Sequence, residues 1–129
     1  MKTQEELNNL SKIILDACIS VHKIMGPGLL ESIYVECLVY ELKNRGVVVK
    51  TEVLIPLIYK DIELSKRFRI DVLVENEIII EAKAIEILLP IHDAQIISHL
   101  KLADKRLGFL VNFNVPILIK GFKRFVNNF

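Results

Sequence analysis

Three observations predict an α/β protein built on a mixed sheet from this 129-residue chain. Two amphipathic helical stretches come before a series of extended segments. A third helical stretch separates two apolar strands. Ile78, Ile79, Ile80 and Ala82 make the first of those strands apolar on both sides. A strand without a polar face belongs in the middle of a sheet, covered on both faces. A helix joining two strands is a crossover, so at least one pair is parallel beside the antiparallel hairpin pairs.

The elements follow in order. Thr3 and Glu6 form a capping box, and Leu7, Leu10, Ile14, Ala17, Val21 and Ile24 then recur at steps of three and four, which predicts one helix over roughly 4–25. Gly26-Pro27-Gly28 breaks it. A second helix is predicted over roughly 30–45, with Leu30, Ile33, Tyr34, Cys37, Leu38 and Leu42 buried and Gly46 as its stop. From 47 to 59, Val47, Val49, Val53, Ile55, Leu57 and Tyr59 alternate with more polar positions, and Pro56 marks an edge or a bend. A turn at Lys60-Asp61 leads to a strand over 64–74. A polar turn at Glu75-Asn76-Glu77 leads to a strand ending at Lys83. Pro90 opens a third helix over about 91–105; residues 107–113 are a short strand, and 117–126 add a last strand or short helix.

Composition narrows the possibilities. Hydrophobic residues make up 52% of the chain, enough for a core in one domain spanning 1–129, and the mean hydropathy of +0.40 excludes disorder. No apolar run approaches the roughly 20 residues that span a bilayer, and the polar start, Met-Lys-Thr-Gln-Glu-Glu, lacks a signal-peptide core. A cytoplasmic protein without a membrane partner is expected. Cys18 and Cys37 lie in apolar helical contexts without metal-ligand spacing and read as reduced core residues. With a net charge of +1, binding of nucleic acid by bulk electrostatics is disfavoured, so positive charge would have to be concentrated locally.

The chemistry-bearing segment is Arg69-Ile70-Asp71 followed, across the turn, by Glu81-Ala82-Lys83. Alternation along a strand points Glu81 and Lys83 to one face. In a hairpin turning near Asn76, Asp71 stands level with Glu81. Two carboxylates and an ammonium on one patch are what metal-assisted phosphodiester hydrolysis uses. The plainer reading is a hairpin with charges on its wet side. The other acid-x-Lys triplet, Glu41-Leu42-Lys43, lies on a helix, where residues two apart diverge. Against the plainer reading, charges at the end of a buried strand are costly unless paired or bound to metal.

Taken together, order and motifs resemble the PD-(D/E)XK nuclease superfamily, and within it the GxxExxY protein family. The signature is Gly28-Leu29-Leu30-Glu31-Ser32-Ile33-Tyr34. Val21-His22-Lys23, Gly26-Pro27-Gly28, Arg69-x-Asp71, Glu81-Ala82-Lys83 and His92-x-x-Gln95 fall in family order, over about residues 10–125. The resemblance implies a restriction-endonuclease-like α-β-β-β-α-β core with helices flanking a mixed central sheet, plus an extra N-terminal helix. It implies Mg²⁺ or Mn²⁺ held by Asp71, Glu81, the backbone carbonyl of Ala82 and Glu31. Lys83 would position the water or act on the transition state, and Gln95 would stand near the site. Ile70 occupies the position of the superfamily's namesake proline, and His99 that of the usual aromatic four residues after the glutamine.

Other readings remain for single residues. Glu31 also suits a first-turn helix position, and Tyr34 suits the core. His92 and His99, seven residues apart, are separated by about 10 Å of helix rise, too far to share zinc easily. His22 suits the end of the first helix as a cation. Lys101, Lys105, Arg106, Lys120, Lys123 and Arg124 are candidate DNA-contacting charges or a solvated face. The function expected is metal-dependent hydrolysis of phosphodiester bonds in DNA, with a homodimer as a way to widen the footprint. The alternative is a catalytically weak or inactive nucleic-acid-binding or protein-interaction module on the same fold.

Overall fold

The computed structural model describes residues 1–129. Helix α1 spans Gln4–Met25 and α2 spans Glu31–Asn44. Strands β1 (Val49–Tyr59), β2 (Ile62–Val74) and β3 (Ile78–Lys83) follow, then α3 (Pro90–Ala103), β4 (Leu107–Asn112), a 3₁₀ turn at Leu118–Gly121 and β5 (Phe122–Val126). The sheet runs β1-β2-β3-β4-β5. Only β3 and β4 are parallel, joined by the α3 crossover, so the sheet is mixed as predicted. The segment 117–126 supplies both a short helical turn and a strand. No helix is long and apolar enough to cross a membrane.

Two apolar layers cover the sheet. Residues 72, 74, 78, 80 and 82 join α1, α2 and the other side of β4 in the larger core, while Leu73 and Ile79 join Ile96 and Leu100 of α3 in the smaller. Gly108 of β4 lets α3 lie close, because a Cβ there would stand 3.1–3.2 Å from the ends of Leu100 and Ile96. Ile24 and Leu30, expected on buried stripes, are exposed instead. The helical periodicity runs past the point where α1 leaves the sheet, and Leu30 is the N-cap residue of α2, ahead of its first turn.

The alternation read over 47–59 as a single face is also broken. Val47 and Val49 pack on the larger core, but Val53 and Ile55 pack with α3. Between them Glu52 has φ +52°, and this left-handed residue turns the strand over. On β2 the same change separates Val72 and Val74 from Ile70 and Phe68. Pro56 sits on the edge strand, next to an irregularity in its pairing.

The turn before α2 is fastened by Tyr34. Its ring is buried and stacks on Phe113 with centroids 4.6 Å apart. Its hydroxyl donates to the Gly26 carbonyl at 2.6 Å and accepts the Leu29 N–H at 3.1 Å. Gly26 and Gly28 take φ of +69° and +96°, which a side chain would resist. Tyr34→Phe keeps the stack but strands two backbone groups. It should lower stability by about 1–3 kcal/mol, read as a lower midpoint in urea at unchanged slope.

Candidate active site

Charged side chains gather where β2 and β3 part. The antiparallel ladder between them ends at Val72–Ile80, whereas β2 continues beside β1 to Ile62. Carrying the register one residue further sets Asp71 opposite Glu81. Beyond that point β3 has a strand partner only in β4, which pairs with Glu81, Ala82 and Lys83. The β1–β2 hairpin thus continues past the end of the β2–β3 ladder as an arm, with a cleft on its α2 side and a separate groove on its α3 side.

The cleft on the α2 side has a volume of about 370 Å³ and is lined by Glu31, Glu36, Glu52, Arg69 and Asp71 among others. Glu31 is the first residue of α2, so the Gly26–Leu30 turn decides where its carboxylate stands. Burial raises the Glu31 pKa above the ordinary carboxylate value; Asp71 and Glu81 push it the same way, and Lys83 and Arg69 oppose them. Burial also raises the Asp71 pKa. There Glu81 adds to the rise, while Arg69, Lys83 and His99 oppose it. Glu31, Asp71, Glu81, Lys83 and Arg69 therefore share one electrostatic patch. Arg69 bridges its acids, with its guanidinium 3.6 Å from Asp71 and 3.4 Å from Glu52.

From the α3 side, Glu81 is buried, and its carboxylate Oε1 is bonded to Nδ1 of His99. Strand alternation explains the direction: Ala82 belongs to the core under α1 and α2, so Glu81 and Lys83 point the other way. The His99 ring stacks on Phe68 of the arm, 4.5 Å between centroids and 9° between planes. His99 thus ties Glu81 to α3 and to the arm at once. Its position four residues after Gln95 was legible in the sequence, but its contact with Glu81 was not.

The remaining candidates divide. Gln95 is exposed and lines a neighbouring groove with His99, Phe68 and Leu57, without reaching the carboxylates. His92 caps the start of α3, its Nδ1 accepting the Leu89 N–H at 2.9 Å, and His22 ties α1 to the Val115 carbonyl at 2.7 Å. Lys105 binds the Asn76 carbonyl, Arg106 binds Glu77 and the Lys2 carbonyl, Lys123 binds Asp93, and Arg124 binds Asn8. Those four cations have internal partners. Lys83 has no carboxylate within ion-pair distance.

Asn112 is a supporting residue that the sequence did not mark. It is buried at the end of β4, level with Lys83. Its side chain bonds both the N–H and the carbonyl of Ile85, at 3.1 and 2.9 Å, and the Phe113 N–H donates to the Lys83 carbonyl at 2.9 Å. These bonds hold the end of β3 where the ladder to β2 no longer does.

The donor set is chemically suited to a hard divalent cation. It consists of carboxylate oxygens, with burial and mutual repulsion raising the cost of their charge. No three acid, histidine or cysteine side chains are close enough to form a ready-made metal cage. Glu81 is turned to His99 and Asp71 to Arg69.

A family model for the PD-(D/E)XK nuclease superfamily matches residues 8–125, and the chain belongs to that superfamily. The mixed five-stranded sheet with its flanking helices is consistent with the restriction-endonuclease-like fold. Neither a search of curated proteins nor one of solved structures finds a significant match.

The raised pKa values have a consequence for stability. A carboxyl raised in the folded state contributes stability below its unfolded pKa, and that contribution is lost as pH rises through the folded value. The Asp71 and Glu31 contributions thus fall as pH rises from the ordinary carboxylate range through their raised folded values. Asp71→Asn should leave the metal-free protein as stable as wild type at pH 7, or more so. It should also flatten the fall in stability from the ordinary carboxylate range upward. Urea melts across pH 4–7 read both; a large loss at pH 7 would mark Asp71 as structural.

Proposed function

We propose that this member of the PD-(D/E)XK nuclease superfamily is a nuclease that hydrolyses phosphodiester bonds in DNA with Mg²⁺ or Mn²⁺. The observation that carries the reading is the shared patch of Asp71, Glu81, Lys83 and Glu31 at the place where two strands part. Asp71 and Glu81 would hold the cation, with the Ala82 carbonyl and Glu31 beside them. When bound, the cation would acidify a water and neutralise charge on the phosphate.

The rest falls to the chain's own groups. A phosphodiester is anionic, and the cleft presents four carboxylates against one guanidinium. Unaided approach is therefore unfavourable. Lys83, at the end of β3, supplies a positive charge without a competing ion pair, placed to act on negative charge developing at the phosphoryl oxygens. Arg69, half exposed beside Asp71, is suited to the flanking phosphate, and Gln95 to the strand leaving the site along α3. A homodimer would widen the footprint of so short a chain on a duplex. The Gly28-x-x-Glu31-x-x-Tyr34 signature supports placement in the GxxExxY branch.

The alternative of a nucleic-acid-binding module without catalysis is less well served. Such a module relies on free cations, and four of the six expected along α3 and the C-terminal segment are held internally.

With Mg²⁺ or Mn²⁺ the purified protein should nick or degrade at least one of linear, nicked, branched or single-stranded DNA. Lys83→Ala should slow cleavage by a factor on the order of 10²–10³, the range for loss of one transition-state donor, while leaving metal binding in place. Gel assays beside calorimetric titration with Mn²⁺ read the two effects separately. If wild type cuts no substrate but binds one with a steep salt dependence, the binding-module account is the better one.

A further inference from the structure

We infer that His99 is a positioning residue, which anchors the Glu81 carboxylate beside the gap between β2 and β3 through Oε1 and leaves Oε2 to meet the cation. The inference rests on the metal-site reading above and assigns it a residue outside the ligand set.

The argument starts from Glu81. Its side chain is buried, yet the β2–β3 ladder has already ended and no backbone group there bonds the carboxylate. Its hydrogen-bond partner is Nδ1 of His99. A buried carboxylate without a fixed partner is costly and free to change rotamer. The imidazole itself is doubly constrained. It rises from α3, which Gly108 allows close to the sheet, and it lies flat on Phe68 at 4.5 Å. Rotation about the ring axis would break either the stack or the bond. The bond occupies one carboxylate oxygen, Oε1, and leaves Oε2 for another partner. Donors that orient ligating carboxylates from behind typically alter metal affinity 10–100-fold when removed. Phe68 also belongs to the arm that carries Arg69 and Asp71, so the same ring fixes the distance between the two halves of the site.

The test compares three variants by titration with Mn²⁺ alone, followed by calorimetry and by Mn²⁺ electron paramagnetic resonance. His99→Phe keeps a ring to stack on Phe68 but removes the donor, and should weaken Mn²⁺ binding by roughly 10–100-fold. His99→Gln restores an N–H donor and should recover most of that loss. Phe68→Leu keeps the donor but frees the ring, and should give a smaller loss in the same direction. It also provides a reading if a His99 variant does not fold. Wild-type affinity in both His99→Phe and Phe68→Leu would overturn the assignment and leave the metal site standing. Equal losses in the phenylalanine and glutamine variants would overturn it too, because a donor would then not be what matters. If wild type binds no Mn²⁺, the metal site itself fails and the assignment with it.

Discussion

Beyond Val72, strand β2 has a neighbour on one side only. It stays paired with β1 to the end of the hairpin, while β3 continues beside β4. β3 itself ends at Lys83, while β2 runs back to Ile62. Near the same point Glu52 adopts the left-handed region, and Ile70 and Phe68 face α3 while Val72 and Val74 face α1 and α2. The arm swings out, and the ends of β2 and β3 border a gap instead of a continuous sheet.

Most of the site's electrostatics follows from that gap. Carboxylates placed there are withdrawn from water without gaining backbone donors, so burial heads the causes of the raised pKa at both Glu31 and Asp71. Each acid finds partial relief elsewhere: Asp71 in Arg69, Glu81 in His99. These pairings keep the repulsion tolerable without removing it. A residual penalty of this kind is one that a bound cation would relieve.

The framework around the gap is correspondingly firm. Tyr34 ties the turn ahead of Glu31 and stacks on Phe113, the residue whose N–H holds the Lys83 carbonyl. Asn112 pins the segment that follows Lys83. Supports of this kind keep mutually repelling charges from drifting apart, because the supporting bonds are partly shielded from water and satisfied. The cations on the opposite side serve the fold in the same way. Arg106 and Lys105 hold the β2–β3 turn, and Lys123 holds the start of α3.

The sequence by itself determined the helices, the strands, the hairpin turn and the crossover, because each rests on neighbours a few residues away. Period, caps and breakers carried α1 and α2 to within a residue or two, and the turn at 75–77 was enough to set the β2–β3 register that runs to Val72–Ile80. Tertiary structure alone decided where those patterns stop mattering. Ile24 and Leu30 continue an apolar stripe past the sheet that would bury it. Val49 and Val53 share a period yet face different cores, since one left-handed residue between them inverts the strand. The pairing of Glu81 with His99 joins residues 18 positions apart on different elements, and that of Arg106 with Lys2 joins residues 104 apart. Spacing along the chain encodes which side a residue takes within its own element. Which partner waits on that side depends on how the elements pack.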